Sequence, residues 1–256
     1  MTQGPAPIVL VAPAMAIGSR YYRPLVAAFE ERGWSARALP RRGFEADGVR
    51  ASRDTDWSYD DEIADIARAV RDARAEQPDR PVVVLGHSLG GQLAVGNQLH
   101  HEPADALVTI GTSLPHHRVY PRKGPHIVVM AGLLVPVLTA AFGYLPKPAF
   151  GAPGARTLMR EWARMALTGR PPYDISVPVT APSLVISLED DAIAPTGAID
   201  SFARRLFAPQ AVERWTCRHA DLPEDGSNDH IQWVRAPAPV VDHVVAWWHA
   251  RDRASA

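Results

Sequence analysis

Short runs of Val, Ile and Leu recur along the chain, and most are followed by a longer stretch in which apolar residues return every three or four positions. Ile8–Ala12, Ser35–Leu39, Val82–Leu85, Ala106–Ile110 and Ser183–Ser187 have the length and composition of strands buried on both faces, and Val212–Cys217 is a weaker sixth. Helices are predicted over Tyr22–Arg32 (stopped by Gly33), Tyr59–Gln77, Ser88–His101, Thr196–Phe207 and Val240–Ala250. In the second of these, Ile63, Ile66, Ala67 and Val70 fall on one face. Strand alternating with helix predicts an α/β fold: a mainly parallel sheet of about six strands flanked by helices. Right-handed crossovers then bring the strand-to-helix loops to one edge of the sheet.

The alternation fails once, between Ser113 and Val177, where a Pro- and Gly-punctuated stretch precedes a predicted helix over Arg156–Leu167. Residues 113–177 therefore read as an insertion within a single domain spanning 1–256. The insertion contains an uncharged run, Ile127–Leu145, long enough to cross a membrane. Pro136 lies in its middle and Gly132 and Gly143 punctuate it, so two short apolar helices bent at Pro136, closing over a pocket, are expected. A lid that docks on a lipid surface is the alternative.

Composition narrows the function classes. The 27 Lys and Arg balance 28 Asp and Glu, so there is no bulk positive field to hold nucleic acid. Cys217 is the single cysteine, and no Cys/His spacing resembles a zinc site, so no metal and no disulfide are expected. The apolar segment near the start is too short for a signal peptide, which makes a cytoplasmic location the default expectation. Oligomeric state is not legible.

Chemistry concentrates at Gly86-His87-Ser88-Leu89-Gly90-Gly91, a G-x-S-x-G sequence with a predicted strand before it and a predicted helix after it. Glycines two residues either side of Ser88 permit a tight turn that projects the hydroxyl, and the helix N-terminus behind it favours developing negative charge. A serine hydroxyl needs a base, and the base needs an acid to orient it. The acid is sought in the loop after Ser183–Ser187, where Glu189, Asp190 and Asp191 compete and the Asp-x-Ile-x-Pro pattern favours Asp191. The base should come last, and His230, in a polar loop before the final helix, is chosen over His219. Two N–H donors should hold an oxyanion: the amide of Leu89, directly after Ser88, and one from the loop after the first strand. In that loop Met15 is favoured, with Ala14 as alternative, because Pro13 has no N–H.

With these residues in place the chain resembles the α/β-hydrolase superfamily over nearly its whole length. Ala12-Pro13-Ala14-Met15, Tyr21-Tyr22-Arg23, Asp56-Trp57-Ser58-Tyr59 and Arg160-Glu161-Trp162-Ala163 look more narrowly like a bacterial group of α/β-hydrolases described as serine-aminopeptidase-like. The resemblance implies a cap at the insertion and an acyl-enzyme mechanism without cofactor. It departs from the common pattern at Ala12-Pro13, where His-Gly is usual, and at Asp229, where a glycine often precedes the base. The expected activity is hydrolysis of an ester or thioester with a hydrophobic acyl part, a small-molecule substrate whose pocket draws on Trp57, Met130, Trp162 and Met165. An acyltransferase or cyclase using the same three side chains, and a non-catalytic binder of apolar ligands, are the rival readings.

Overall fold

The computed structural model describes residues 5–147 and 152–255. Among the described residues there are eight strands: β1 (Ile8–Ala12), β2 (Ser35–Ala38), β3 (Val82–His87), β4 (Ala106–Ile110), β5 (Tyr144–Leu145), β6 (Gly154–Ala155), β7 (Ser183–Leu188) and β8 (Val212–Cys217). The main helices are α1 (Arg23–Glu30), α2 (Tyr59–Glu76), α3 (Leu89–His100), α4 (Gly124–Val129), α5 (Val135–Phe142), α6 (Arg156–Thr168), α7 (Thr196–Leu206) and α8 (Ala238–Ser255). Six strands form one parallel sheet in the order β2-β1-β3-β4-β7-β8, as the alternation predicts.

Side chains of β1, β3 and β4 are buried on both faces, which explains why they are continuous Val, Ile and Leu runs rather than alternating ones. One layer packs Leu25 and Phe29 of α1 and Val240, Val241 and Trp247 of α8 against Val9, Val11 and Leu85. The other packs Ile63 and Ile66 of α2, Leu93 of α3 and Phe202 of α7 against Leu10 and Val84. The chain leaves β1 for β2 on one side and then crosses to β3 on the other, so β1 and β3 flank the point where the strand order reverses. Crevices open at the carboxyl ends of strands at such a point. The loops carrying Met15 and Ser88 therefore start side by side.

The insertion differs from expectation in two ways. The apolar run does not form two helices bent at Pro136. It forms one continuous helix, Gly124–Phe142, in which Met130–Leu134 between α4 and α5 is a π-helical turn and the Val135 amide donates to the Met130 carbonyl five residues back. Pro136 has no N–H for the carbonyl at Gly132 and its ring would crowd that turn, so a widened turn just ahead of it relieves the conflict without a break. Gly143, in the left-handed conformation (φ 83°), ends the helix. Second, β5 and β6 form an antiparallel ladder of two residues each, too short to register as a hydrophobic pattern.

Polar bonds tie this insertion to the body through α6. Asp56 accepts from the Thr157 amide (2.9 Å) and hydroxyl (2.6 Å) and pairs with Arg156 (3.2 Å), and Glu161 accepts from the Tyr59 amide (2.8 Å) at the start of α2. Ser58 caps α2 through a reciprocal pair with Asp61.

Candidate active site

Ser88 sits between β3 and α3 at φ 54°, ψ −118°, a region that a residue with a Cβ seldom enters and that costs on the order of 1–3 kcal/mol. Both sides of its backbone are pinned. Its amide donates to the Ile110 carbonyl (2.9 Å), and its carbonyl accepts from the Gly91 amide (3.0 Å) and the Thr112 hydroxyl (3.2 Å). The turn works only with glycine behind it: a Cβ on Gly90 would lie 2.0 Å from the Ala12 carbonyl oxygen.

The three side chains proposed from the sequence meet at the carboxyl edge of the sheet. Ser88 Oγ lies 2.9 Å from His230 Nε2, and His230 Nδ1 lies 2.6 Å from Asp191 Oδ2. The Asp191 carboxylate is fully buried, and its other oxygen accepts from the amides of Ile193 (2.8 Å) and Ala194 (2.6 Å). Those donors come from the residues that follow Asp191 in the Asp-x-Ile-x-Pro pattern. The rivals pair with one another at the surface instead: Glu189 accepts from the His219 amide (2.8 Å), and Asp190 lies 3.2 Å from His219 Nδ1.

A residue without a sequence signal makes the pairing possible. Gly111, directly after β4, adopts φ 56°, and a Cβ there would stand 2.9 Å from Asp191 Oδ2 and 3.2 Å from His230 Nδ1. The histidine and the carboxylate pass through space that only a glycine leaves open.

Beneath the site runs a chain of hydrogen bonds that the sequence did not reveal. The Ala14 amide donates to Tyr22 Oη (2.8 Å), Tyr22 Oη lies 2.8 Å from His87 Nδ1, and His87 Nε2 lies 2.7 Å from the His230 carbonyl oxygen. A carbonyl only accepts, so Nε2 carries the proton and Nδ1 accepts from the Tyr22 hydroxyl. That assignment requires a neutral ring. Complete burial, with His230 beside it, pushes its pKa down to about 3. Burial likewise raises the Tyr22 hydroxyl above its ordinary range, so it stays protonated as this direction of donation requires. The chain joins the loop after β1 to the loop carrying His230, and it consumes the Ala14 N–H. Among the described residues the amides of Met15 and Leu89 donate to no acceptor, and both residues line the cavity beside Ser88.

That cavity has a volume of about 350 Å³ and is walled by Met15, Leu89, Tyr120, Trp162, Ile193 and Ile231, among others. Of the four side chains expected in it, only Trp162 is there. Trp57 packs instead beneath α2, where its indole N–H donates to the buried Glu62 (2.9 Å), itself paired with Arg41 (2.8 Å), and it borders a different cavity. Met165 is fully buried in the core under α6, and Met130 belongs to the π turn away from the cavity: the apolar run expected to close over the pocket packs on α6 and does not line it. Aromatic and sulfur side chains near the site in sequence were drawn into ordinary packing. Tyr120, whose hydroxyl lies 3.0 Å from Ser113 Oγ, lines the cavity from an irregular segment that periodicity cannot place.

Residues 3–165 match the family model described as serine aminopeptidase, S33, which covers more than half of the chain. The chain belongs to this α/β-hydrolase family. Solved structures share the hydrolase fold over nearly the full length of both partners. BpoC from Mycobacterium tuberculosis H37Rv, a proposed non-heme bromoperoxidase, is 17% identical with a TM-score of 0.65, covering 96% of this chain and 93% of its own. A metagenome-derived lipolytic enzyme of the LipS and LipT pair is 16% identical with a TM-score of 0.63 (96% and 94% covered). The type II thioesterase BorB of the borrelidin biosynthetic cluster is 15% identical with a TM-score of 0.57 (94% and 91% covered). At these identities the likeness is one of fold. No curated protein matches this α/β-hydrolase by sequence.

Proposed function

We propose that this α/β-hydrolase cleaves an ester or thioester with a hydrophobic acyl part through an acyl-enzyme intermediate. The observation that carries the reading is the run from Ser88 Oγ through His230 to buried Asp191, at 2.9 and 2.6 Å, opening on a mainly apolar cavity. Ser88 attacks the carbonyl carbon while His230 Nε2 takes its proton. Asp191, held by two backbone amides, fixes the imidazole with Nε2 toward the serine and stabilises the imidazolium that forms. The carbonyl oxygen becomes an oxyanion and draws on the unengaged Met15 and Leu89 amides. The use of the Ala14 amide by Tyr22 favours Met15 over its neighbour. His230 then gives the proton to the leaving oxygen or sulfur. Water, deprotonated by the same imidazole, releases the acid and restores Ser88.

The acyl part is inferred from the walls: Trp162, Ile193, Ile231 and Met15 offer aliphatic and aromatic surface and no charge to hold a peptide terminus. The test is hydrolysis of p-nitrophenyl butyrate and octanoate together with labelling by a fluorophosphonate. Wild type should turn over both esters and be labelled. Ser88→Ala should lose about six orders of magnitude in kcat and all labelling. Labelling that persists in Ser88→Ala, or a wild type inert to both esters and probe, overturns the assignment.

A further inference from the structure

A helix on the outside of a folded protein ordinarily turns polar residues to water. The helix Gly124–Phe142 does not. Its inner stripe, Ile127, Ala131, Val135 and Thr139, is buried or half-buried, with Ala131, Val135 and Thr139 at most 1% exposed. Its outer stripe is aliphatic: Val129 is 51% exposed, Leu133 56% and Val137 54%, with Val128, Leu134 and Phe142 beside them. Only 17% of its most apolar window is buried within the molecule.

The charge that the insertion itself carries up to α6 is one-sided, although Asp56 of the body neutralises Arg156. Between Asp105 and Glu161 the sequence has no Asp or Glu at all, yet it holds Arg118, Arg122, Lys123, Lys147, Arg156 and Arg160, in a chain whose net charge is −1. The only two lysines of the protein, Lys123 and Lys147, bracket the helix, and both are exposed. Arg53 joins them at the far end, donating to the Ala141 carbonyl (3.2 Å).

We propose that this face docks on an anionic lipid surface, the helix lying in the plane of the interface with Val129, Leu133 and Val137 turned into the acyl region and Lys123 and Lys147 at headgroup level. A strongly apolar face edged by long cationic side chains has the makeup of an interfacial helix, which sinks about 5–10 Å into the headgroup boundary. Spanning is excluded by the tethers: Ala131 and Val135 face the protein, and the chain returns to the same body at both ends, through Lys123 on the Ala192 carbonyl (2.6 Å) and through β5 paired with β6. A second copy of the chain fits the face poorly, because two such surfaces pressed together would oppose like-charged lysines and arginines.

The docking is independent of the hydrolase reading, since none of these side chains touches Ser88. The test is co-sedimentation of the full-length protein with vesicles of phosphatidylcholine alone and of phosphatidylcholine containing one-third phosphatidylglycerol. Binding should favour the anionic vesicles by about tenfold or more and weaken with added salt. Lys123→Glu/Lys147→Glu should lose at least about 30-fold of that binding, and Leu133→Glu/Val137→Glu nearly all of it. Ser88→Ala should bind as wild type, which separates this proposal from failure of the catalytic one. Leu133→Glu/Val137→Glu should keep the wild-type melting temperature, since both side chains are exposed, and Lys147→Glu alone, which leaves the Lys123 contact to Ala192 intact, should keep it too while weakening binding to the anionic vesicles. Absence of vesicle binding, binding indifferent to both double variants, or a dimer in solution that Leu133→Glu/Val137→Glu dissociates would each overturn the proposal.

Discussion

The floor of the cavity and the helix Gly124–Phe142, which roofs α6 without lining the cavity, are built on opposite physical terms. Around Ser88 the strained backbone, the Asp191 carboxylate, the His87 ring and the Tyr22 hydroxyl are each fixed by hydrogen bonds of 2.6–3.2 Å to neighbours within van der Waals reach. The roof helix Gly124–Phe142 is held by a stripe of small and aliphatic side chains, and more than half of Leu133 faces outward. Directional bonds in a dry interior fail when one atom is added or removed, because the partner left behind has no water to turn to. Nonpolar contact at a surface degrades by degrees. The floor should therefore be brittle and the roof forgiving.

The sharpest way to break the floor adds one carbon. Gly111→Ala places a Cβ against both Asp191 Oδ2 and His230 Nδ1 in a backbone conformation that disfavours side chains. With the His230–Asp191 contact displaced, kcat for p-nitrophenyl butyrate should fall at least about 100-fold. The fold should survive, since the clash is confined to two side chains. Circular dichroism beside the kinetics checks this, and an active Gly111→Ala enzyme would show that the pair does not need its 2.6 Å geometry.

The next expectation removes an atom. Tyr22→Phe leaves the Ala14 amide and His87 Nδ1 without their shared partner in a buried site, which should cost about 2 kcal/mol in urea unfolding. His87 gives the same chain a pH signature. Its pKa of about 3 in the folded protein lies below the ordinary histidine value of 6.5, so the unfolded chain binds more protons across that interval. Its contribution is fully present above pH 6.5 and is lost as pH falls toward 3, and between pH 7 and pH 5 the loss should be about 2 kcal/mol. His87→Gln should flatten that slope. An identical slope in the variant would mean that His87 is not the group that titrates.

The contrast also explains what could be read in advance. Strands β1, β4 and β8 fall at the residues the hydrophobic pattern predicts, and the other sheet strands lie within two residues of it, because burial on both faces of a sheet leaves a strong signal. Ser88, Asp191 and His230 stood out through local context and chain order. Tyr22 and His87 stood inside quoted motifs without a role and Gly111 in none, since a partner 8, 65 or 143 positions away in sequence, as for Tyr22 and His87, leaves no local trace. Trp57 and Met165 were misplaced for a related reason: a large apolar side chain suits a pocket wall and a core equally, and only the tertiary structure decides. Asp56 and Glu161, noticed through family resemblance, turn out to anchor α6 to the start of α2. The bend expected at Pro136 failed because a π turn can absorb a proline that an α-helix cannot.

The smallest effects belong to the roof, and they discriminate between its two faces. Val135 and Leu133 are two positions apart on the same apolar helix, yet Val135 is 1% exposed and Leu133 56%. Val135→Ala removes two methyl groups from a closed contact and should cost about 1–2 kcal/mol, less than a larger truncation because alanine favours the helix. Leu133→Gln replaces a side chain already in water and should change stability by no more than about 0.5 kcal/mol. Equal costs at the two positions would mean that the outer face is covered in solution, by another copy or by a shifted helix, and the separation between floor and roof would fail. A cost at Val135 alone means that this part of the fold does not need the outer stripe. Leucine at 133, where water would accept glutamine, then serves contacts made outside the folded chain.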